Sequence, residues 1–177
     1  MFNDNHHYYE KYDSNKYDFY SILFKYYKQL YPKLTELSKI HLLLNYNYFN
    51  QKDKDFYKSI PIFGKTDRNS IFVKNFYNLF DTNYNFLNYY INFINEYIKP
   101  LFPHEKYICV QKTPNIRFHV PNNSNIGKLE TDVGNFIGIH NDAQFNHPYG
   151  EINIIIPITN MYNTNSIYSP HILSFLT

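Results

Sequence analysis

The residues of this chain best suited to chemistry are His140 and Asp142, in the string Gly138-Ile139-His140-Asn141-Asp142. Two positions apart on an extended segment, an imidazole and a carboxylate point to one side and reach a common ion. A nitrogen donor and an oxygen donor together suit a borderline divalent metal. Alone, a His-x-Asp tripeptide also fits a hydrogen-bonded pair at a strand end, so the surrounding residues must decide. Arg117 and His119 alternate in the same way. On a strand they share a face, where the Arg117 guanidinium could grip a carboxylate bidentately or form an exterior ion pair.

A site of two His and one carboxylate, with the other metal positions open, is the arrangement of non-haem iron(II) oxygenases; His140 and Asp142 would supply two of its three ligands. The motif order around the pair is longer. Gln111-Lys112-Thr113-Pro114-Asn115-Ile116-Arg117-Phe118-His119-Val120-Pro121 precedes it. His147-Pro148-Tyr149-Gly150-Glu151-Ile152-Asn153, Pro157-Ile158-Thr159 and Asn163-Thr164-Asn165-Ser166 follow. This order resembles the oxygenase-like family typified by the StrG protein of streptomycin biosynthesis, itself distantly similar to the phytanoyl-CoA hydroxylases. The resemblance covers residues 110–168, about a third of the chain.

That resemblance implies an iron(II)/2-oxoglutarate-dependent oxygenase that hydroxylates a small molecule, with Fe(II) and 2-oxoglutarate as its cofactors. It implies His140 and Asp142 as metal ligands, and Gln111, Arg117, His147, Glu151 and Asn153 as candidates for the cosubstrate or substrate pocket. The fold it implies is α+β: N-terminal helices packed on a double-stranded β-helix, a cupin-like jelly roll. In the family the third ligand is a histidine on a late strand, near a basic residue that holds the distal carboxylate of 2-oxoglutarate. Both belong well beyond the Asn-Thr-Asn stretch, whereas the sequence here runs to Thr177, and His171 follows too soon to serve. The expectation is therefore a truncated core whose uncovered strands invite self-association. Two other readings stay open. One is a catalytically dead fragment or interaction module; the other is a cupin-like metal-dependent hydrolase or isomerase.

The elements that must position these residues follow from periodicity. Phe19, Ile22, Leu23, Tyr26, Tyr27 and Leu30 recur at three and four, which is helical spacing, and Pro32 interrupts the pattern before Leu34, Leu37 and His41 resume it. Residues 50–68, with Pro61 and Gly64, have the composition of a connection. Phe72, Phe76, Leu79 and Phe80 then share one helical face. Asp81 and Thr82 are plausible N-caps for a further helix, in which Phe86, Leu87, Tyr90, Ile91, Ile94 and Ile98 form a core stripe ending at Lys99 and Pro100. After Pro103, residues 107–111, 115–120, 135–140 and 151–158 are short runs rich in Ile, Val and Phe, and read as strands.

Composition bounds the rest. With 177 residues and 44% hydrophobic content, the expectation is one domain. It divides into a flexible N-terminus at 1–16, a helical part at 17–103 and a partial β core at 104–177. The net charge of +2 comes from 17 basic and 15 acidic residues scattered along the chain, so neither nucleic acid nor a membrane surface is an expected partner; a small-molecule substrate is. The 20 Tyr and 16 Phe, alongside abundant Asn, Lys and Ile, read as a codon bias rather than as functional evidence. The lone Cys109, within Tyr107-Ile108-Cys109-Val110, excludes an internal disulfide and a Cys-based zinc site, and reads as a buried thiol. Met1 to His7 has no signal-peptide pattern and no segment approaches a membrane span, so a cytoplasmic protein is expected. His6 and His7 read as a solvated tail, and His41 and His104 as hydrogen-bonded or solvated.

Overall fold

The computed structural model describes residues 8–59, 70–118, 151–161 and 173–176. The chain divides into two compact units, one formed by Met1–Ile40 with His140–Thr177 and the other by His41–Ile139.

In the first unit, helix α1 spans Phe19–Leu30. It starts where the Asp18 carboxylate accepts the Ser21 N–H at 2.9 Å, satisfying one of the donors that a helix start leaves without a partner. It ends at Tyr31, because the residue before Pro32 is pushed out of helical geometry. The last helical bond, Tyr31 N–H to the Tyr27 carbonyl, is 2.8 Å. Phe19, Leu23 and Tyr27 are its buried face. The Tyr12 ring meets Phe19 edge-on at 6.3 Å, and Tyr27 and Tyr31 stack at 6.5 Å. Beyond the proline, the Lys28 ammonium donates to the Leu34 carbonyl at 2.6 Å and ties the chain back to α1.

The helical pattern then resumes with a different period. Leu34, Leu37, Ile40 and Leu43 are buried at intervals of three, and Leu37–Asn45 is a 3-10 helix. Three residues per turn stack such a stripe into one line, whereas an α-helix would rotate it away. His41 is half-buried beside that line.

The strands of the first unit are β1 (Tyr8–Lys11), β2 (Ile154–Ile155) and β3 (Leu173–Leu176), in the order β1-β3-β2. Both pairings are parallel. Tyr8 lies opposite Leu173 and Lys11 opposite Leu176, while Ile154 also pairs with Leu173 on the other side. This overturns the expected fold class. A double-stranded β-helix needs two facing sheets of antiparallel strands, but the described residues are predominantly helical and their strands are two to four residues long and parallel. Residues 107–111 and 115–118, expected as strands, form no ladder, and only Ile154–Ile155 of 151–158 does. Strand-favouring residues describe a fit to a partner surface rather than an intrinsic backbone preference, so composition alone overcalls them. The expected strand at 135–140 lies outside the described residues.

The second unit is built on helices. α2 spans Gln51–Ser59, within the stretch expected as a connection. Its start was legible: the Asn50 side chain accepts the Asp53 N–H at 2.9 Å, and Gln51 donates one turn on to Asp55 at 2.7 Å. α3 spans Ile71–Thr82, capped by the buried Ser70, whose hydroxyl accepts the Val73 N–H at 3.2 Å. Phe72, Val73, Phe76, Leu79 and Phe80 are its buried face, as their spacing predicts.

α4 (Tyr84–Phe93) follows after a single residue. Asn83 ends α3 by donating its N–H to the Leu79 carbonyl at 2.9 Å, and begins α4 by accepting the Phe86 N–H at 3.1 Å. Asp81 and Thr82, expected as caps, belong instead to the last turn of α3. The Thr82 hydroxyl is bonded back to the Asn78 carbonyl at 2.7 Å, which occupies it. Phe76, Phe80, Phe86 and Tyr90 interlock across the hairpin, with ring centroids 4.7 Å apart for Phe80 and Phe86 and 5.7 Å for Phe80 and Tyr90. Phe72 extends this packing to Phe49 at 5.4 Å and to Phe118 at 5.7 Å.

Past Phe93 the helix widens into a π turn (Ile94–Ile98) and tightens into a 3-10 turn (Lys99–Leu101). The wider turn spends one extra residue per revolution, so Ile98 returns to the buried face of Phe86, Tyr90 and Phe93. The Lys99 ammonium closes the end, donating to the carbonyls of Phe102 and Glu105.

Candidate functional site

Four of the residues expected to form a pocket are described. Gln111 and Arg117 belong to the second unit and Glu151 and Asn153 to the first, and all four are exposed. His140 and Asp142, expected as metal ligands, and His147, expected in the pocket, lie outside the described residues, as do His119 and His171. Among the described residues no group of three or more His, Cys, Asp or Glu side chains could hold a metal ion.

Gln111 is held through its backbone. Its carbonyl accepts the Tyr90 hydroxyl at 3.1 Å, which pins the segment after Pro103 to α4. A second tie joins Tyr77 of α3 to the Asn115 side chain at 3.3 Å. Tyr90 is buried, and burial raises its hydroxyl above the usual tyrosine range because the phenolate would lose its hydration. The neutral hydroxyl therefore persists as a donor.

These two ties leave a groove that sequence reasoning missed. Leu87, Ile91 and Ile94, expected in the core stripe of α4, do not join it: Ile91 is exposed and the other two are half-buried. With Ile108 and Val110 they wall an open cavity of ≈ 330 Å³, which Lys112 borders. That volume is at the lower end for a small-molecule pocket. The alternation of Ile108 and Val110, against Tyr107 and Cys109, was the available signal, since a period of two in an extended segment turns alternate residues to one side. Tyr107 is 77% exposed, and Cys109, expected to be a buried thiol, is exposed as well. Among the described residues no ladder pairs this segment, and its apolar run is too little buried to enclose the thiol.

Among the described residues no helix is long and apolar enough to cross a membrane. No family model, no curated protein and no solved structure matches this chain.

Proposed function

We propose that this chain carries His140 and Asp142 as metal ligands of an iron(II)/2-oxoglutarate-dependent oxygenase acting on a small molecule. The observation that carries the reading is the motif order: Gln111 and Arg117, then His140-Asn141-Asp142, then His147 with Glu151 and Asn153. The donor chemistry supports it, since an imidazole nitrogen and a carboxylate oxygen form two of the three ligands of the facial arrangement that non-haem iron(II) takes. The reading rests on donor identity and order, and not on a jelly-roll scaffold. Iron, when bound with 2-oxoglutarate, would supply oxygen activation. The part of the chain's own residues is to hold the ion through His140 and Asp142 and to present polar groups such as Arg117, whose planar guanidinium suits a carboxylate.

The test is an anaerobic titration of the whole chain with iron(II) and 2-oxoglutarate. A visible charge-transfer band is expected, and its loss in His140→Ala and Asp142→Ala with unchanged far-ultraviolet circular dichroism. No band from folded wild-type protein would overturn the reading. Metal binding that ignores 2-oxoglutarate would overturn it in favour of a metal-dependent hydrolase or isomerase.

A second reading, association between copies of this chain, is favoured by a different observation. Val110 and Ile91, which line the same groove, are large apolar side chains left 48% and 43% exposed. Contiguous exposed apolar surface of this kind marks interaction sites. Sedimentation velocity across a hundredfold concentration range should show rising mass, and Val110→Asp should abolish the rise; a single monomer mass throughout would sink the idea.

A further inference from the structure

We draw no further inference here: the strongest candidate, the apolar groove between α4 and residues 108–112, belongs to the surface already described, and nothing in the structure shows what covers it.

Discussion

Tyr90 shows how one side chain can join two parts of a fold. Its ring fills the aromatic cluster with Phe80, while its hydroxyl reaches the Gln111 carbonyl. Tyr90→Phe keeps the ring and removes the bond, so a loss of about 0.5–1.5 kcal/mol is expected from denaturant melts at neutral pH. The same residue gives a pH dependence. Burial raises its pKa above the ordinary value of 10.0, so as pH climbs past that value the unfolded chain gives up its proton first. The stability tied to the protonated hydroxyl is complete below that point and falls as pH rises toward the folded value. Tyr12 shares this window, raised first by burial and then by the Asp18 charge. Melts at neutral and strongly alkaline pH should therefore show a shallower alkaline decline for Tyr90→Phe than for wild type; an identical decline would show that Tyr90 titrates normally. At the candidate site, the sequence singles out His140 and Asp142 by their chemistry and order, and both lie outside the described residues. Exposure was not legible: Cys109 sits in an apolar run, yet whether such a run is covered depends on residues far away in sequence.

At the scale of elements, the α3/α4 hairpin combines local capping with aromatic packing. Asn83→Ala removes the side-chain acceptor at the start of α4 and should cost about 1 kcal/mol. Phe80→Ala empties the centre of the ring cluster and should cost about 3–5 kcal/mol, with only partial collapse of the space left behind. Equal losses in thermal or denaturant melts would contradict this ranking. The helices were legible because their signal is local: Phe72, Phe76, Leu79 and Phe80 announce α3, and Pro32 announces the end of α1. Two helical details were readable in principle. Leu34, Leu37, Ile40 and Leu43 carry a period of three, and Asn50 is a cap. Of the expected strands that are described, only the run 151–158 contains one, at Ile154–Ile155, because a run such as Tyr107 to Gln111 becomes a strand only when another segment meets its hydrogen-bonding edge. The π turn at Ile94–Ile98 was hidden for a related reason: one extra residue per turn changes which side chains are buried without changing the composition.

At the scale of the whole molecule, the two units differ in how they are drawn from the chain. His41–Ile139 is a continuous stretch, whereas the other unit joins Met1–Ile40 to His140–Thr177. In its sheet, Tyr8–Lys11 lies beside Leu173–Leu176, so a segment must meet a partner made more than 150 residues later. Synthesis imposes an order on such an arrangement. As the ribosome extends the chain, the helical stretch can emerge and compact while β1 still waits for a neighbour that has not been translated. Distant pairing also carries a loop-closure cost that local helical contacts avoid, which slows it further. Protease challenge of stalled nascent chains should thus find the α3/α4 region protected before residues near Tyr8 are; simultaneous protection would mean that the early strand finds its place without its late partner.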